Sequence, residues 1–73
     1  MNLDINFLHE VDGRWIANIE SIPGVSVYGE TKEDAQKRVK ILALQVIADF
    51  IEHNEMVEPE IITFTLPVDT VAA

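Results

Sequence analysis

Two of the chain's three glycines fall within six residues of each other, in the stretch SIPGVSVYGETKEDA from Ser21 to Ala35. That stretch limits the fold more than any other, because it sets a turn, a short strand and a helix start in succession. Pro23 and Gly24 suit the two central positions of a type II turn: proline presets φ at the first, and glycine accepts a positive φ at the second. Val25 to Tyr28 is β-branched and aromatic, which suits a strand, and Gly29 ends it. Thr31 is a good N-cap, with Asp34 three residues on in the place of a capping-box acid. Glu33 and Asp34 also complement the positive end of the helix dipole.

Upstream, Leu3, Ile5 and Phe7 alternate with Asp4 and Asn6, the period of a half-buried strand. A three-residue loop, Val11-Asp12-Gly13, closes a hairpin onto WIANIE if Gly13 takes the left-handed conformation. The register then sets Glu10 opposite Arg14, His9 opposite Trp15, Phe7 opposite Ala17, Ile5 opposite Ile19 and Asp4 opposite Glu20. A two-residue Asp-Gly loop would mix polar and apolar residues on one face and defeat burial.

Downstream, a helix is expected from Lys32 to about His53. Ala35, Val39, Leu42, Ala43, Val46 and Phe50 form its sheet-covering face. Ile41, Leu44, Ala48 and Ile51 form a second apolar set roughly opposite. One helix on one sheet buries only the first set, so the second predicts self-association or another partner, unless the C-terminal segment folds over it. Pro59 stops the helix, and Ile62, Phe64 and Leu66 alternate with Thr63 and Thr65 as a last strand. Residues 67–73 read as a frayed tail. The expected fold is therefore one α+β domain spanning 1–73, a four-stranded, mostly antiparallel sheet in the order β-β-β-α-β with one long helix on one face.

A length of 73 residues limits the chain to one domain with a small core. Without cysteine, neither a disulfide nor a thiolate zinc site can reinforce it. Thirteen acids against five Lys and Arg give a formal net charge of −8, which disfavours direct nucleic-acid binding and favours a basic protein partner. The N-terminus lacks the basic and apolar regions of a secretory signal, and no apolar run approaches the length of a membrane span. A cytoplasmic protein without membrane contact is expected.

On the sheet face away from the helix, Asp4 and Glu20 with Asn6 and Asn18 form the candidate partner-binding set. Two carboxylates facing each other cost a little stability and suit Lys or Arg of a basic partner. A divalent-metal site needs more converging carboxylates than these two, so no metal and no cofactor is assigned. His9 and His53 lie too far apart in the pattern to share a site. The Ser and Thr residues lack the spacing of an activated nucleophile, so no catalytic residue is assigned.

In their order and spacing, Asp12-Gly13, Trp15, Ile22-Pro23-Gly24, Gly29, Thr31 and Glu33-Asp34-Ala35 resemble the HicB antitoxin family, over about residues 3 to 66. The resemblance implies a partial RNase H-like fold. It also implies a non-enzymatic role, in which the protein neutralises a small basic HicA-type toxin that cleaves mRNA by occluding it. Many members continue into a helix-turn-helix or ribbon-helix-helix domain; without one, operator binding is not expected. Two alternatives stand beside this reading: a solitary self-associating structural or regulatory protein without a toxin, and a residual metal-dependent nuclease.

Overall fold

The computed structural model describes residues 1–67; most of the expected tail lies outside them. The chain runs β1 (Asn2–Asp4), β2 (Asn6–His9), β3 (Trp15–Asn18), β4 (Ser26–Gly29), α1 (Lys32–Glu52) and β5 (Thr63–Thr65). It is α+β, with one helix and a three-stranded antiparallel sheet β2-β3-β4, beside a parallel pair β1-β5.

The hairpin closes through the three-residue loop. Glu10 N–H donates to the Arg14 carbonyl at 2.8 Å, Gly13 N–H donates to the Glu10 carbonyl at 3.0 Å, and Gly13 sits at φ +94°. His9 pairs with Trp15, Phe7 with Ala17 and Asn6 with Asn18. The ladder stops there, so the expected Ile5–Ile19 and Asp4–Glu20 pairings are not part of it. The bonds that Ile5 makes instead follow from the direction of the backbone groups. In an antiparallel pair alternate residues turn their N–H and C=O toward the partner. Here the even-numbered residues face β3, which leaves the odd ones facing the other way. Ile5 N–H accordingly donates to the Thr65 carbonyl at 2.9 Å, and Met1 C=O accepts from Thr63 N–H at 2.9 Å. The single strand expected here is thus two, β1 and β2, separated by Ile5 and serving different neighbours.

The Pro-Gly turn has the expected form: Gly24 has φ +81°, and Val25 N–H donates back to the Ile22 carbonyl at 3.3 Å. It brings β4 back beside β3, with Ala17 opposite Val27 and Trp15 opposite Gly29.

The core is apolar throughout. Leu3, Ile5, Ala17, Ile19, Ile22 and Val25 meet Ala35, Val39, Ala43 and Ile47 of the helix, and no polar or charged residue is buried among the described residues. Leu42, Val46 and Phe50 are half-buried against this cluster. Ile47, absent from the expected core face, is buried to 2% exposure. At about 100° per residue it lies beside Ala43 on the flank of the apolar stripe, and Met56, Ile62 and Phe64 also pack against the cluster.

Gly29 ends β4 for a different reason from the one its sequence position suggests. Its φ is not positive; instead, a Cβ there would run into the backbone N of Ala35 and lie 2.7 Å from its Cα. Glycine is needed because the first turn of the helix presses onto the strand.

Both helix ends are capped. Thr31 Oγ1 accepts from Asp34 N–H at 3.0 Å, and Asp34 Oδ2 accepts from Glu30 N–H at 3.2 Å, one residue before the cap. At the other end Asn54 is left-handed (φ +59°). Its N–H donates to Ile51 and that of Glu55 to Phe50, a Schellman closure built on asparagine.

Two outcomes follow from these contacts. Gly29→Ala is expected to destabilise the fold by about 1–3 kcal/mol through overpacking, read by denaturant unfolding; a neutral substitution would refute the close approach. The Glu30 N–H bond, then Arg38, hold the Asp34 carboxyl below its ordinary 3.8. A depressed folded pKa gives stability that is present above 3.8 and lost as pH falls through the folded value. The thermal midpoint should therefore fall on acidification through this range, and fall less in Asp34→Asn. Equal slopes in the two proteins would remove Asp34 from the cause.

Candidate docking face on the open side of the sheet

The strand period that buries Leu3, Ile5, Ala17 and Ile19 under the helix points their neighbours the other way. That open face has two halves. Toward the Pro-Gly turn it is polar: Asn2, Asp4, Asn6, Glu20 and Ser21 line a recess of about 370 Å³. Three of the four expected partner-binding residues, Asp4, Asn6 and Glu20, therefore come together, although Asp4 and Glu20 are not ladder partners. Asn18, the fourth, pairs with Asn6 in the adjoining ladder. Its Oδ1 is shielded and accepts no hydrogen bond from the described residues. The Asn2 amide donates to Asp4 Oδ1 at 3.4 Å and accepts from Thr65 Oγ1 at 2.7 Å, which ties the recess to β5.

The other half is apolar and was missed by the sequence reading. Leu8 lies opposite Ile16, and Ile16 opposite Tyr28, so one row crosses all three antiparallel strands. Leu8 is 57% exposed and Tyr28 49%. The signal was present in LDINFLHE and VSVY: Leu8 and Tyr28 share the parity of the polar residues. Arg14 stacks its guanidinium 4.5 Å from the Tyr28 ring centre, and its Nε donates to Asp12 Oδ2 at 2.9 Å. The Arg14 backbone N–H, and then its side chain, hold Asp12 below its usual carboxylate range.

The histidines sit at opposite ends of the fold. His9 stacks flat on Trp15 at 4.1 Å, with Phe7 edge-on to the same indole at 6.4 Å and the Lys32 ammonium 5.7 Å above it. His53 lies at the helix C-terminus, Nδ1 2.8 Å from the Asp49 carbonyl. Among the described residues no three or more of His, Asp and Glu converge as a metal-binding group. No helix of the described residues is long and apolar enough to cross a membrane.

Because the Asp4 and Glu20 side chains are exposed, and Asp4 accepts only the 3.4 Å bond from Asn2, reversing both to lysine should change unfolding free energy by no more than about 0.5 kcal/mol per site. A larger loss would mean that these acids hold the fold itself. Compared with protein-family models, with curated proteins and with solved structures, the chain matches none.

Proposed function

We propose that the chain is a HicB-like antitoxin domain, which binds a small basic mRNA-cleaving toxin of the HicA type and blocks its RNA-holding surface. It acts by occlusion rather than catalysis. The observation that carries this reading is the open sheet face. There the Asp4–Glu20 recess adjoins the Leu8–Ile16–Tyr28 row. A protein interface needs an apolar patch that can be dried and a polar rim that sets orientation. This face has both, and its charged residues at the recess are acids, suited to the Lys and Arg with which a toxin would grip phosphate.

The element order supports the same reading. β1 and β2 follow each other across Ile5, with β5 bonded on one side and β3 on the other. Taken as one strand, they give a four-stranded sheet ordered β5-β1/β2-β3-β4 with the helix across one face, the partial RNase H-like arrangement implied by the family resemblance.

The test is recovery of the tagged protein from its native host at low salt, followed by elution at high salt. The expected result is a stoichiometric small basic protein whose RNA cleavage the chain suppresses, with suppression lost in the Asp4→Lys, Glu20→Lys double variant. Binding that ignores ionic strength would refute the electrostatic component. Recovery of the chain alone would refute the antitoxin role and leave a solitary self-associating protein.

A further inference from the structure

The helix carries a second exposed face, and its charges are unevenly placed. Four of the chain's five Lys and Arg lie in its first nine residues: Lys32, Lys37, Arg38 and Lys40. From Asp49 to Glu60 there are five acids, Asp49, Glu52, Glu55, Glu58 and Glu60, and no Lys or Arg. Acids at a helix C-terminus oppose the helix dipole, and the last turn holds no base to offset them.

On the side away from the sheet, Lys37, Ile41, Leu44, Ala48 and Glu52 fall within about 80° of one another around the helix axis. Ile41 is 47% exposed, Leu44 46%, and Ala48 is exposed as well. Ile51, assigned to this face from the sequence, instead packs half-buried against the core. The stripe reads as base, three apolar residues, acid, and that order is complementary to its own reverse.

We propose that a second copy of this chain docks on the stripe, helix antiparallel to helix, about a twofold axis beside Leu44. Counting outward from that axis, Lys37 of each copy faces Glu52 of the other, Ile41 faces Ala48, and the two Leu44 side chains meet at the centre. The contact is isologous and closes after two copies. A parallel pairing would instead set Lys37 on Lys37 and Glu52 on Glu52. A partner of one charge sign would match only one end of the stripe, which is why a second copy fits it better than a basic or an acidic protein. The formal net charge of −8 on each copy opposes the encounter at low ionic strength, and this repulsion is screened beyond about 8 Å at about 0.15 M salt. Such a dimer turns both open sheet faces outward, so it is independent of what those faces bind.

The full chain, 8.2 kDa as a monomer, is measured by sedimentation velocity at physiological ionic strength. A dimer is expected, with the dissociation constant raised at least about tenfold by Leu44→Glu and little changed by Tyr28→Glu. Circular dichroism checks that both variants remain folded, as their exposure predicts. Because the chain has no cysteine, single substitutions report orientation through a short bismaleimide cross-link. Leu44→Cys should link to itself, and Lys37→Cys should link to Glu52→Cys in a mixture but not to itself. A monomer, a dimer indifferent to Leu44→Glu, or self-linkage through Lys37→Cys would each overturn the proposal.

Discussion

The fold depends on how closely one helix can lie on a very small sheet. With ten buried apolar side chains and no buried polar residue among the described residues, there is little volume from which to build stability. The chain uses small residues where the layers touch. Ala17 in the central strand and Ala35 and Ala43 in the helix are completely buried, and Gly29 leaves room for the backbone of Ala35. This lets Ile5, Ile19 and Val39 fill the space between the layers in direct contact. A side chain at Gly29 would lift the first turn of the helix and open that contact along its length.

The same constraint creates the exposed surfaces. A single helix covers one face of the sheet and offers one of its own faces to it, which leaves two others uncovered on opposite sides of the domain. On the sheet side, acids and amides adjoin an apolar row. On the helix side, an apolar strip runs between a basic end and an acidic end. Their charge patterns differ, one being anionic and the other self-complementary, so they suit different partners. The two surfaces could therefore be occupied at the same time.

Much of this was legible in the residues because it rests on short-range rules. The loop at Val11-Asp12-Gly13 follows from the need to keep Phe7 and Ala17 on one face. The turn at Pro23-Gly24 and the cap at Thr31 follow from backbone preferences that act within a few residues. The alternation of Leu3, Ile5 and Phe7 was enough to assign a buried face and hence to put Asp4, Asn6, Asn18 and Glu20 on the other. Reading only the polar members of that face hid Leu8, Ile16 and Tyr28, which form one row across the three antiparallel strands.

What the sequence determined by itself was therefore local: where strands turn, where the helix begins, and which side chains share a parity. Tertiary structure decided the rest, because it depends on contacts between residues far apart in the chain. Ile5 turns its N–H away from β3, and whether a strand lies there to accept it depends on where the chain after the helix returns, some sixty residues later, as the Ile5–Thr65 bond shows. Ile51 turns out to be packed half-buried against the core and Ile41 and Leu44 exposed, although all three fit one sequence pattern. Gly29 reads in the sequence as a strand end, and only the packed helix reveals that its missing side chain is the space Ala35 occupies.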